Sequence, residues 1–230
     1  MASDTTRQDR PGREAPDPGS PRPGASRRRA DAERNIAAIL DAGLTCFSRS
    51  ADASVAEVAQ AAGVGRVTLY GHFPTREALT DAVLAHAITK ANTALDAVAI
   101  DHGPPDAALA RLIGSSWRII DQHRRLLAAA QAHLPPARVR HHHDQAMARV
   151  ERLIARGQDQ GAFRTDLPRS WLVATFYSLM HGAAEEVDAG RLDPDQAAGV
   201  LTATLQAALA APTKARPARR LRSAARPSSS

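Results

Sequence analysis

From Asp31 onward, apolar residues return every three or four positions almost without interruption. That is the period of an α-helix with one buried face. Ile36, Ile39, Leu40, Ala42 and Phe47 mark a first helix. Ser54 and Glu57 form an S-x-x-E capping box, so a second helix starts there, with Val55, Val58, Ala59 and Ala62 along one face. Gly63 ends it where the chain must turn with positive φ. Val64 plugs the turn. A third, short helix runs from about Arg66 to His72, with Leu69 and Phe73 inward and Arg66, Val67, Tyr70 and Gly71 outward. The small Ala59 lets the two helices cross steeply. A helix held out to solvent in this way has the geometry that enters the major groove of DNA.

The same period continues. Thr75 caps a helix running towards Ile100, and His102-Gly103-Pro104-Pro105 breaks the chain. Asp106 to about His123 is helical through Leu109, Leu112, Ile113 and Trp117; a shorter helix carries Leu126, Leu127 and Ala130. After Pro135-Pro136 another helix runs to about Arg156. The last two span about Pro168–Ala189 and Asp195–Ala211. No stretch sustains period-two alternation. The expected class is all-α, about nine helices, in four segments: a basic, disordered tail over 1–29, a helix-turn-helix domain over 30–77, a larger helical domain over 78–211, and a second basic tail over 212–230.

Particular residues in this frame resemble the DNA-binding domain of the TetR-type transcriptional regulators. They are Ala62-Gly63-Val64, Thr68-Leu69-Tyr70, His72-Phe73, then Glu77 and Leu79, with the first helix upstream. The resemblance spans roughly Asp31 to Leu84. Gly65 stands where that family usually has a serine or another cap, and Arg76 where lysine is common. The resemblance implies that Arg66 and Val67 face bases, Arg66 through guanine O6 and N7 and Val67 through a thymine methyl. It implies that Thr68, Tyr70, His72 and Arg76 face phosphates and that Gly71 offers close backbone approach. The Ser54 N–H, at a helix N-terminus, is a further phosphate seat. The alternative for Tyr70 and His72 is that they only pack the domain together. The resemblance also implies a homodimer on a double-stranded operator, joined through the last two long helices, with a small-molecule effector among the middle helices.

Charge alters this picture in one respect. The formal net charge is +6 over 230 residues, but the first 29 residues hold seven arginines against four acids, and residues 212–230 hold six basic residues and no acid. Residues 30–77 carry four arginines against six acids, which is poor for a head that must approach phosphates. Arg27-Arg28-Arg29, just before the first helix, is placed to make up that deficit. The lone Cys46 excludes an intrachain disulfide. No run reaches the ~18 apolar residues of a membrane span, and the N-terminus lacks a signal-peptide core. A cytoplasmic protein is expected.

Catalytic chemistry finds little support. There is no glycine-rich phosphate loop, G-x-S-x-G or H-E-x-x-H. Neither cofactor nor metal is expected: His141, His142 and His143 are consecutive, so on a helix they point about 100° apart and cannot converge on one ion. His143 differs in lying on the apolar stripe Val139, Ala146, Met147, Val150, Ile154. Trp117, Met147 and Phe176 sit on apolar faces of separate helices, and with His143 they are expected to line a cavity for a largely apolar molecule. Leu201, Leu205 and Leu209 form an i, i+4, i+8 row expected to lie between subunits. The leading function is a ligand-released homodimeric repressor. A second is a DNA-binding regulator with no small ligand, controlled by a protein partner or by abundance. An enzyme with an appended DNA head is the third.

Overall fold

The computed structural model describes residues 23–212. Among them are nine α-helices and no strand. They are α1 (Pro23–Arg49), α2 (Val55–Ala61), α3 (Arg66–His72), α4 (Arg76–Asp96), α5 (Pro105–His133), α6 (Pro136–His142), α7 (Asp144–Asp159), α8 (Arg169–Asp188) and α9 (Pro194–Leu209). The expected number is met with different boundaries. Helix α1 starts at Pro23, so residues 23–29 are helical rather than tail. Residues 1–22 and 213–230, which hold the rest of both expected tails, lie outside the described residues.

Two cores organise the chain, and α5 belongs to both. The smaller gathers Ile39 and Phe47 of α1, Val58 and Ala59 of α2, Leu69 of α3, and Leu79, Val83 and Ala87 of α4. Leu126 and Ala129, near the C-terminal end of α5, complete it. The larger packs Leu109, Leu112, Ile113 and Trp117 of the same helix against α7, α8 and α9. The sequence boundary at 77/78 therefore cuts through the head's own core, because α4 and α5 supply part of it. Gly43 is what lets α1 approach α4: a Cβ there would stand 2.5 Å from Val83 Cγ2.

Helix α5 is one continuous rod of 29 residues, not two helices. The polar run Asp121-Gln122-His123-Arg124-Arg125 interrupts its apolar period, yet most of its members find partners on neighbouring elements. His123 Nδ1 stands 2.9 Å from Ser48 Oγ, and Arg125 Nη1 donates to Arg49 O at 2.6 Å. Arg124 bridges Asp121 and Asp188. The stretch from 136 to about 156, conversely, divides into α6 and α7 at His143, whose Nδ1–H donates to Val139 O at 2.8 Å.

The row Leu201, Leu205, Leu209 is buried within its own chain, each at most 3% exposed. It faces the α5 side of the larger core, so it is not the seam between subunits.

Candidate nucleic-acid interface and effector cavity

The helix-turn-helix forms as its sequence dictates. Ser54 caps α2: its Oγ accepts from Glu57 N at 3.2 Å, and its N–H donates to Glu57 Oε2 at 2.6 Å. Gly63 takes φ 68°, and Val64 N closes the turn on Ala59 O at 3.0 Å. Buried Leu69 anchors α3 against α2, so the opposite face of α3 projects. Arg66, Val67, Thr68, Tyr70 and Gly71 are all exposed, Val67 at 88%, and His72 is half-buried against the Phe73 ring. A Cβ at Gly71 would meet nothing within 4 Å, so backbone there is open to close approach.

Two residues expected at the DNA face have other partners. The Ser54 N–H is already bonded to the Glu57 carboxylate, so a phosphate would have to displace an anion. Arg76 turns inward. Its guanidinium donates to Ala53 O at 2.6 Å and Ala51 O at 3.0 Å, meets His133 Nε2 at 3.2 Å, and lies over the Phe47 ring. It fastens the start of α4 to the α1–α2 turn and to the end of α5. Position alone, at the first turn of α4, could not distinguish this from a phosphate contact.

A cavity of about 110 Å³, apolar in its lining, lies between α4, α5, α7 and α8. His143, Met147 and Phe176 line it, with Leu84, Ile88 and Leu95 of α4. Trp117 does not. It is buried in the larger core, and its Nε1–H donates to Pro194 O at 3.2 Å at the start of α9. Its neighbour Ser116 lines the cavity with Ile119, Ile120 and His123, so Trp117 sits on the right helix but is turned to the face that meets the start of α9. Tyr177 and His181 escape the sequence reading, though the cavity is built around them. Their rings stack at 4.1 Å, and the His143 ring meets each edge-on, at 5.4 and 4.9 Å. The i, i+4 spacing of the two on α8 is the available signal. Both also line an outer cleft with Arg140, so this stack is the partition between cavity and cleft.

Burial disfavours the charged form of the cavity histidines. Burial pushes His181 down to about 3, with the charges of His143 and Arg140 adding to it. Burial also lowers His143, against the opposing pull of its bond to Val139 O. His123 is lowered by burial and by Lys90. His181 Nδ1 is buried without a hydrogen-bond partner. Among the described residues, no group of three His, Cys, Asp or Glu side chains could hold a metal ion.

The cavity is tied to the head by α4, which carries Leu79 and Val83 in the head core and Leu84 to Leu95 along the cavity. Helix α6 is clamped to α4 at Asp81. Arg138 donates twice to its carboxylate, at 2.9 and 2.7 Å, and His142 Nε2–H once at 2.7 Å. The Arg138 bonds, with His142 beside them, hold the Asp81 carboxyl down to about 2 despite its partial burial.

Residues 39–83 match the family described as bacterial regulatory proteins, tetR family. The HTH-type transcriptional regulator NfxB of Pseudomonas aeruginosa is 29% identical over 154 residues, 65% of this chain and 80% of its own length. The HTH-type transcriptional repressor LfrR of Mycolicibacterium smegmatis is 37% identical over 83 residues, 36% of this chain and 44% of its own. Among solved structures, a TetR family regulator from Agrobacterium tumefaciens superposes with a TM-score of 0.62 at 20% identity, over 78% of this chain and 99% of that one. The TetR-like regulator LfrR from Mycobacterium smegmatis in complex with proflavine superposes with a TM-score of 0.56 at 24% identity, over 78% and 98%.

Proposed function

Because the chain belongs to the TetR family of transcriptional regulators, we propose that it is a homodimeric repressor, released from a palindromic operator when a small, largely apolar molecule fills the cavity. The carrying observation is that α4 is at once a wall of the cavity and a part of the head's core. A ligand that fits only one setting of α4 favours that setting by its differential affinity, and no further force is needed. One recognition helix reads a few base pairs, so two are joined on a dyad, about 34–36 Å apart, to meet successive major grooves. That LfrR was solved with proflavine supports a small-molecule effector.

The joining surface runs along the exposed faces of α8 and α9. Four large apolar side chains are prominently exposed among the described residues: Val67 and Tyr70 on α3, Trp171 on α8 and Val200 on α9. Around Val200 the exposed face holds Gly199, Ala203, Thr204 and Ala207, small enough for a second helix to approach closely. Footprinting on the DNA flanking the protein's own gene tests the reading. Two symmetric protected half-sites about one turn apart are expected; a single asymmetric patch would overturn it.

A further inference from the structure

The cavity's charge inventory points to the class of effector. Of the residues that line it, none is acidic. Its polar side chains are Asn92, Ser116, His123, His143, Tyr177 and His181. Asn92 is already engaged: its Nδ2 donates to Gln145, and its Oδ1 accepts from Arg149 Nη1 at 3.2 Å. Behind the walls, two cations are answered by exposed acids, Arg149 by Asp96 and Lys90 by Asp41. Arg149, 4% exposed, stands behind Asn92 and pairs with Asp96. Arg140 lies over the Tyr177 ring at 4.7 Å, and the charge of Lys90 reaches His123. The one acid whose field is felt at His143 is Asp144, which is exposed and paired with His141.

A cation in this cavity would lose its water and meet no carboxylate, within reach of two guanidinium groups. A carboxylate would be little better served, because Arg149 already has Asp96 and Asn92, and Arg140 stands across the ring partition. Beside the Ser116 and Tyr177 hydroxyls and the second nitrogen of His123, two ring nitrogens of the aromatic stack are open to a polar ligand atom. His143 Nδ1–H is bonded to Val139 O, so its Nε2 carries a lone pair. His181 Nδ1 is buried and unpartnered. Both rings belong to the aromatic stack, whose faces and edges suit a flat π-system.

We infer that the effector is an uncharged, flat aromatic molecule carrying one hydroxyl or N–H donor, which bonds to the histidine pair. This rests on the reading of the cavity as the effector site. Four probes of one shape separate the two: 1-naphthylmethanol, 1-methylnaphthalene, 1-naphthylmethylammonium and 1-naphthoate, each titrated by calorimetry into the full chain at pH 7.5. The alcohol is expected to bind at least tenfold more tightly than either ion and several-fold more tightly than the hydrocarbon. In His181→Phe the alcohol's advantage over the hydrocarbon should disappear while the hydrocarbon still binds; His143→Phe provides an independent check should the first variant fold poorly. If the ammonium or the naphthoate matches the alcohol, the inferred class is wrong and the cavity reading stands. If none of the four binds, the cavity reading fails and the inference with it.

Discussion

At the scale of single residues, a buried histidine is a proton-sensitive element with a definite sign. His181 has a folded value of about 3 against an ordinary value of 6.5. Between those values the unfolded chain binds the proton and the folded chain does not. Stability is therefore complete above about pH 6.5 and declines as pH falls toward 3. At pH 5 the loss from this residue alone amounts to about 2 kcal/mol, and His143, lowered for the same reason, acts in the same direction. The Asp81 carboxylate acts in this sense too, but only at lower pH, as it takes up its proton between about 4 and 2. Urea unfolding at pH 7.5 and 5.0 should show the decline, and His181→Phe should remove much of it. An equal decline in that variant would show that other groups cause it. On the DNA face, Arg66 is exposed at the start of α3 with Leu69 anchoring the helix behind it. Arg66→Ala should cost about 1–3 kcal/mol on the operator and relax preference at one base position per half-site. Uniform weakening across single-base operator variants would reassign Arg66 to the phosphates.

At the scale of elements, α6 is a short helix whose position depends on few contacts. Asp81 receives three hydrogen bonds from it, and beneath them Leu84, Leu127 and Val139 form a small core. Asp81→Asn keeps the shape but removes the charge that Arg138 answers, at a cost of about 1–3 kcal/mol. Because α6 joins the cavity wall to α4, operator affinity without effector should change more in this variant than in the exposed control Asp159→Asn. Equal affinities in an anisotropy titration would sink the role given to this clamp. The helix-turn-helix was legible because its signals are local: a capping box, a glycine at positive φ, one inward leucine. The course of α5 was not, since the partners that satisfy His123, Arg124 and Arg125 lie on α1 and α8. Nor could a stripe of leucines on α9 say whether the surface covering it belongs to the same chain or to a second one. Trp117 illustrates the same limit, because its indole N–H finds Pro194, 77 positions away.

At the scale of the molecule, the proposed assembly and the charge of the head are each open to test. With Leu205 inside the chain, the seam is tested at Trp171 and Val200, which are 61% and 47% exposed. Trp171→Glu with Val200→Glu should leave the fold intact and shift sedimentation toward the monomer, weakening operator binding as the dyad is lost. A dimer of unchanged mass and affinity would place the seam elsewhere. The arginines at 27, 28 and 29 are exposed on the first turns of α1. Replacing all three with alanine should lower the slope of log K against log salt by about 0.9 for every phosphate these arginines neutralise, while leaving base preference intact. An unchanged slope in salt titrations would show that they do not reach the phosphates.

The passage of α5 through both cores bears on how such a protein can be recombined. A head that reads DNA as proposed is an obvious part to graft onto another sensor. Here a graft cut at residue 77 would strip the head of Leu79, Val83, Ala87, Leu126 and Ala129, roughly half of what its apolar interior rests on. The transplantable unit is discontinuous, α1 to α4 plus the last two turns of α5. A simple crossover at residue 77 leaves those apolar contacts behind, so if α3 reads bases as proposed, its exposed residues are better changed in place.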